Sequence, residues 1–528
     1  MLMTMKKTVL TGLIWSFTLL LCAQNFQIVP GPSEGEKLHR LHETFLGEDA
    51  SSFYVMETRR DKPVSMRARM IMSIRAYDKA TMKMKKELLL DDIYELQQLE
   101  GKVYLGARIL GDQIAVLWDA PKERETKVTW VDLKTLKRSK KETLLFDFDE
   151  KYQSRYNLMM LKKSEPSYSI RLDLSKDGIS LFVSSLEVNP DKGSKFTLKK
   201  LSSPDAKVEA IGTVSTSTNL QELAFTWKVI KGKTGAAGIY LHVPERKNAD
   251  YKKLEPGLYA APINSSNGKG ELQLLAKRQD EHPRWRYLEE DGILYLAGAN
   301  LRQKTPDFYV ATLDIEDLTS FEIHSSIFPA EAHAQLRSVD DYDKYLEKAE
   351  EGKSYFSKDL ELGAISLSKD KNILFSMSEQ PRSLPGDEDP NWQYGDILIG
   401  SVNTQGKINW TKAMKRKIKE KSPDCYPIPY YVHEVVSTEN GFLILVTQPL
   451  EKLDGIALKT AGTPSKEDMS IVSIGEDGSW TKESPNLEKK YRHLKAIPYA
   501  SYKLSNGNIV YAARIPGNQT YIQLMMND

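Results

Sequence analysis

Few residues in this chain stand where chemistry would need them. His433-Glu434 continues as Val-Val-Ser and His42-Glu43 as Thr-Phe-Leu, so neither pair has the second histidine of a zinc-binding helix face. Gly232-Lys233-Thr234 looks like the end of a phosphate-binding loop, but Trp227 stands where the earlier glycine belongs. Asp387-Glu388-Asp389 clusters the hard oxygens that calcium prefers, without the alternating spacing of a binding loop. The two cysteines, Cys22 and Cys425, make no disulfide framework, and no nucleophile signature surrounds Cys425. No cofactor and no metal is expected from these patterns. Two carboxylates for glycoside cleavage could be gathered from separate segments and would leave no local signature.

Binding is better represented than catalysis. Residues 381–394 (PRSLPGDEDPNWQY) bring Arg382, Trp392 and Tyr394 into one polar stretch. Residues 281–287 (EHPRWRY) hold Arg284 and Trp285, and residues 425–433 (CYPIPYYVH) hold Tyr430, Tyr431 and His433. Aromatic rings mixed with arginine are what recognition surfaces favour. These eight are the candidate ligand-binding residues. For Trp285, Tyr430 and Tyr431 the competing reading is packing between structural units.

The elements that would carry these stretches repeat along the chain. A polar turn, often ending in Gly or Asn, precedes a β-rich apolar run: Asp177-Gly178 before ISLFVSSL, Glu290-Asp291-Gly292 before ILYLAG, residues 370–372 before ILFSM, 439–441 before FLILV, and 505–507 before NIVYAA. Looser copies start at residues 48–52, 111–113 and 219–222, the last before LAFTW. The starts recur at intervals of roughly 65 residues, the mark of a repeat architecture. Further on in each copy comes a strand, a tight turn and a shorter strand, often bearing Trp, as in residues 396–410 (DILIGSVNTQGKINW) and 468–480 (DMSIVSIGEDGSW). Each unit is therefore a four-stranded meander, which cannot bury both faces unless its neighbours stack on it.

The strand–turn–strand ending in Trp resembles the blades of the β-propeller superfamily, of the quinoprotein-like or Kelch type. That resemblance implies an all-β fold: a single propeller of about eight blades, with seven the near alternative, each a four-stranded antiparallel sheet. It carries over no catalytic residue, because no blade has the Trp-Asp dipeptide at the end of its third strand or the Asp-box spacing. The last unit has only three strands of its own, and residues 25–29 (NFQIV) are an orphan strand predicted to complete it. Residues 338–352 predict one short helix, with Ser338 as N-cap, inside a long insertion at 328–360.

In a meander, the first-to-second and third-to-fourth connections lie on one face and the others on the opposite face. The long insertions, at 146–166, 230–256, 328–360, 378–395, 412–430 and 447–467, are of the second kind. They are expected to crowd one face, where long loops are usually functional.

Residues 1–23 have the plan of a signal peptide: Lys6 and Lys7, an apolar core at 9–21, and Ala23 at the cleavage position. Leu21 before Cys22 disfavours a lipidation box. The mature chain, 24–528, is then a single domain, exported to the periplasm or the extracellular space, with outer-membrane association the lesser option. It contains no apolar run long enough to span a bilayer. With 74 Lys+Arg against 72 Asp+Glu the net charge is +2, so no global field favours nucleic acid. The basic runs 134–141 and 412–421 read as solvated strand edges. The functional expectation is a monomeric, non-catalytic scaffold that engages a protein or glycan. The alternative is a carbohydrate- or polymer-active enzyme with carboxylates at the channel mouth.

Overall fold

The computed structural model describes residues 26–32, 40–60, 70–90, 92–94, 102–155, 165–174, 180–203, 207–218, 220, 226–234, 236–243, 255–263, 267–277, 285–301, 305–336, 341–353, 356, 360–379, 382–383, 391–394, 396–414, 418–421, 435–438, 441–446, 470–483, 495–515 and 518–526. Among these residues the chain is a β-propeller. Seven blades are each cut from one stretch of chain. Blade 1 has the strands Arg40–Glu48, Ser52–Arg60, Met70–Asp78 and Met84–Leu90. Blade 2 has Lys102–Leu110, Gln113–Ala120, Glu125–Asp132 and Arg138–Asp147. Blade 3 has Ser167–Leu174, Ser180–Asn189, Gly193–Ser202 and Lys207–Thr216. Blade 4 has Thr226–Lys231, Ala237–Val243, Gly257–Pro262 and Gln273–Lys277. Blade 5 has Arg286–Glu290, Ile293–Asn300, Asp307–Asp314 and Ile323–Ile327. Blade 6 has Leu360–Leu367, Ile373–Glu379, Ile397–Val402 and Ile408–Met414. Blade 7 has Val435–Thr438, Gly441–Val446, Ser470–Gly475 and Trp480–Glu483.

One more sheet is shared between the two ends of the chain. Lys495–Lys503, Ile509–Ile515 and Asn518–Met526 supply three strands, and Phe26–Pro30 pairs antiparallel with the third, Phe26 opposite Met526. The orphan strand read from the sequence is thus the closing strand. First strands of most neighbouring blades touch, so the first strand is innermost and the fourth outermost.

Burial follows from this position. Second and third strands are covered on both faces by adjacent blades, so they read as continuous apolar runs: every residue of Ala237–Val243 and of Ile397–Val402 is buried. The outermost strand of blade 3, Lys207–Thr216, is mostly exposed or half-buried. The core is a set of separate wedges between consecutive blades. Trp118 and Val131 of blade 2 meet Met56 and Ile74 of blade 1 in one wedge, and Phe308 meets Phe375 between blades 5 and 6 in another.

The recurrent outer-strand tryptophan has a packing cause. Trp410 of blade 6 lies on the third-to-fourth turn of blade 7, where a Cβ on Gly478 would fall 2.8 Å from its ring, and its Nε1 donates to the Glu476 carbonyl at 2.8 Å. Gly478 also has φ +80°, a conformation that side chains resist.

Three expectations change. Residues 219–222 do not open the second strand of blade 4. That blade's first-to-second turn is at 232–236, which absorbs Gly232-Lys233-Thr234. Its second-to-third connection is 244–256 rather than 230–256, because Ala237–Val243 is a strand. The insertion before blade 6 carries two helices rather than one: α1, Ala330–Gln335, and α2, Tyr342–Glu350. Asp341 occupies the N-cap position of α2, and Ser338 lies outside the described residues.

Candidate functional site

Antiparallel pairing within each blade fixes where every connection leaves the ring. The first-to-second connections, such as 111–112 and 291–292, open from one face, as do third-to-fourth turns such as 403–407 and 476–479. We call this the short-turn face. The strand ends joined by 148–166, 244–256, 328–359, 380–396, 415–434, 447–469 and 484–494 all lie on the opposite face. The one-sided distribution expected from the sequence is therefore a property of the fold.

On that face two insertions build a structure of their own. Arg382–Ser383 and Asn391–Tyr394, within the blade 6 second-to-third insertion, pair with each other, and the latter pairs with Ile418–Lys421 from the connection to blade 7. The result is a three-stranded antiparallel sheet separate from the blades. Gln393 lies opposite both Arg382 and Lys419, and Trp392 lies opposite Ser383 and Glu420. Three candidate residues, Arg382, Trp392 and Tyr394, share this small sheet. The basic run 412–421 is divided: Lys412 ends in the outer strand of blade 6, and Lys419 and Lys421 join the small sheet.

Trp285 is half-buried against the wedge between blades 4 and 5, with its ring 6.3 Å from that of Tyr309. It takes the packing role. Arg286 and Tyr287 belong to the inner strand of blade 5 rather than to a loop, and Arg286 Nε donates to the Leu362 carbonyl at 3.1 Å. Arg284, Tyr430, Tyr431 and His433 lie outside the described residues, as do Cys22, Cys425, residues 387–389 and the 1–23 segment.

The inner strands carry a charged network that no sequence pattern announces. Arg171 of blade 3 donates from Nη2 to the Tyr287 hydroxyl of blade 5 at 2.5 Å. Lys228 of blade 4 lies 5.0 Å from the centre of the Tyr287 ring and 3.7 Å from Glu289 Oε2. Asp173 Oδ2 accepts from the Val229 N–H at 3.0 Å. Burial raises the pKa of Asp173 against the pull of Lys228, Arg171 and Arg108, and burial raises that of Glu289 against Lys228. Inner strands of three successive blades are tied here by side chains far apart in sequence.

A fully buried carboxylate lies toward the long-connection face. Asp119 is the last residue but one of the second strand of blade 2 and is fully buried. It accepts from Ser154 Oγ at 2.6 Å, from the Tyr168 hydroxyl at 3.0 Å and from Thr126 Oγ1 at 3.3 Å. Burial is the largest influence and the three hydroxyls oppose it, leaving its pKa raised to about 6. Because Ser154 belongs to 148–166 and Tyr168 to the first strand of blade 3, this carboxylate pins a long connection to the ring.

Neither a family model nor a curated protein matches the chain. Solved structures to which it is similar include a prolyl endopeptidase, at 8% identity and TM-score 0.39, over 90% of this chain and 54% of that one. A puromycin hydrolase matches at 12% identity and TM-score 0.36, over 80% and 52%. The fission yeast SREBP–SCAP binding-domain complex matches at 10% identity and TM-score 0.35, over 87% and 94%. The chain spans about half the length of the endopeptidase and hydrolase chains. Likeness at these identities says nothing about activity.

Proposed function

We propose that this protein is an exported, non-catalytic scaffold, with quinoprotein-like or Kelch-like blades, that engages a protein or glycan through its long-connection face. The observation that carries the reading is that the strand ends joined by the longest connections lie on one face, with two of those connections joined in a sheet that bears Arg382, Trp392 and Tyr394. A short strand pair is stable only where something supports it, so a small sheet raised on loops is a built surface. Arg and Trp are the residue types that dominate contact energies at such surfaces. Among the described residues no helix is long and apolar enough to cross a membrane. Export rests on the plan of residues 1–23.

The test is a glycan array and a peptide library probed with the purified chain, alongside the double variant Arg382→Ala/Trp392→Ala. A retained ligand should lose at least tenfold in affinity in the double variant and remain unchanged in Lys371→Ala, a substitution on the short-turn face. Equal losses in both variants, or no loss in either, would remove the proposal. New reducing ends released from a polysaccharide would move the reading to the polymer-active enzyme.

A further inference from the structure

We propose that the strand Ile418–Lys421 is a docking edge for an extended acidic peptide, a proposal that rests on the binding reading above and names its partner class. The small sheet has the order Arg382–Ser383, Asn391–Tyr394, Ile418–Lys421, so among the described residues Ile418–Lys421 is an edge strand. An edge strand carries backbone N–H and C=O groups that a further strand can pair with. Among the residues that form this strand, Lys419 and Lys421 stand against one acid, Glu420, in a chain whose net charge is only +2. The sheet lies on the face that gathers the long connections.

Lysine on an edge discourages pairing with a second copy of the same strand, because like charges placed opposite each other repel. That repulsion selects rather than blocks. A strand rich in Glu or Asp meets opposite charge along the same edge, so the lysines that exclude self-pairing favour an acidic partner. Backbone pairing supplies affinity without a sequence code, and the charges supply the choice of partner.

The experiment uses the purified full chain and two fluorescein-labelled peptides of alternating Glu and Val. One has a normal backbone, and the other has alternate amides N-methylated, so charge is equal but strand pairing is blocked. Fluorescence anisotropy is read for the native chain, for Lys419→Glu/Lys421→Glu, and for Lys140→Glu/Lys141→Glu, which makes the same charge change on the outer strand of blade 2. The expected result is saturable, salt-weakened binding of the unmodified peptide. It should be at least tenfold weaker for the N-methylated peptide and at least tenfold weaker for the 419/421 variant, with the 140/141 variant close to native. Equal binding of both peptides would show attraction of any polyanion and overturn the proposal, as would an equal loss in the 140/141 variant or no binding at all. Thermal melts of both variants exclude unfolding as the cause. If these outcomes fail while the array ligand still depends on Arg382 and Trp392, the docking edge is lost and the scaffold reading stands.

Discussion

On the short-turn face, neighbouring blades hold each other by side chains, whereas the opposite face carries most of the added length of the chain. Lys233 Nζ of blade 4 reaches Asp314 Oδ2 of blade 5 at 3.0 Å, and Thr234 donates from N and Oγ1 to Glu316 Oε1 at 2.8 and 2.9 Å. Lys371 of blade 6 reaches back to Glu290 and Asp291 of blade 5 at 3.0 and 3.1 Å. Tyr54 of blade 1 donates to the Leu133 carbonyl of blade 2 at 3.0 Å, and Lys86 donates to the Lys134 carbonyl at 2.6 Å. The closing blade joins in, since the Ser505 N–H donates to Glu48 Oε1 at 2.5 Å. Each exposed ion pair is worth at most about 1 kcal/mol, and a buried Leu or Phe side chain about 1.5–3 kcal/mol. The wedges therefore hold the ring together, and the links set how each turn seats on its neighbour.

Glycine substitutions separate the two faces by the largest margin. Gly478→Val places a side chain at φ +80° and against Trp410 2.8 Å away. Strain and overpacking together should cost about 4 kcal/mol in denaturant unfolding. Gly352 has φ +66° with nothing within 4 Å of a built Cβ, and it lies in the 328–359 connection. Gly352→Ala should cost only about 1 kcal/mol, the backbone part alone. Equal costs would mean that the two faces are packed alike.

Asp119 gives the long-connection side a pH dependence of its own. Its pKa is raised from 3.8 to about 6, so the folded chain binds the proton more tightly than the unfolded chain. The resulting stability is complete below pH 4 and is lost as pH rises through about 6. Asp119→Asn has no such dependence. Its stability relative to the native chain should rise between pH 4 and pH 7 by up to about 3 kcal/mol, at 1.36 kcal/mol per unit. A flat difference across that interval, measured by urea midpoints, would show that the carboxylate is not held as described. The smallest effect is expected at Lys371→Ala, a loss of at most about 1 kcal/mol that shrinks in high salt.

Much of the architecture was legible because its causes are local. Turn glycines such as Gly406 and Gly507, at φ +80° and +85°, mark hairpins, and doubly covered strands such as Ile397–Val402 read as unbroken apolar runs. The sidedness of the insertions followed from strand parity alone. Blade 4 was misread because LAFTWKVI is one continuous β-rich run. Its turn at 232–236 lacks the Asn-Gly or Asp-Gly type of signal, so Thr226–Lys231 was placed one strand too late in the meander. The network of Arg171, Lys228, Tyr287 and Glu289 could not be read at all, since Arg171 and Tyr287 are separated by 116 residues and meet only when blades 3 to 5 stack. The small sheet was hidden for the same reason: two insertions, each without a strong strand pattern, pair with one another.

The pairing of Phe26–Pro30 with Asn518–Met526 also sets an order of events during synthesis. The strand at 26–30 must wait for the strand at 518–526, so the circle stays unclosed on the ribosome until those later residues have emerged. Meanwhile Ile28, which packs in the wedge with Tyr511 and Leu524, has no wedge to enter. A cell that makes this protein must keep that early segment from pairing elsewhere until the strand at 518–526 has been made.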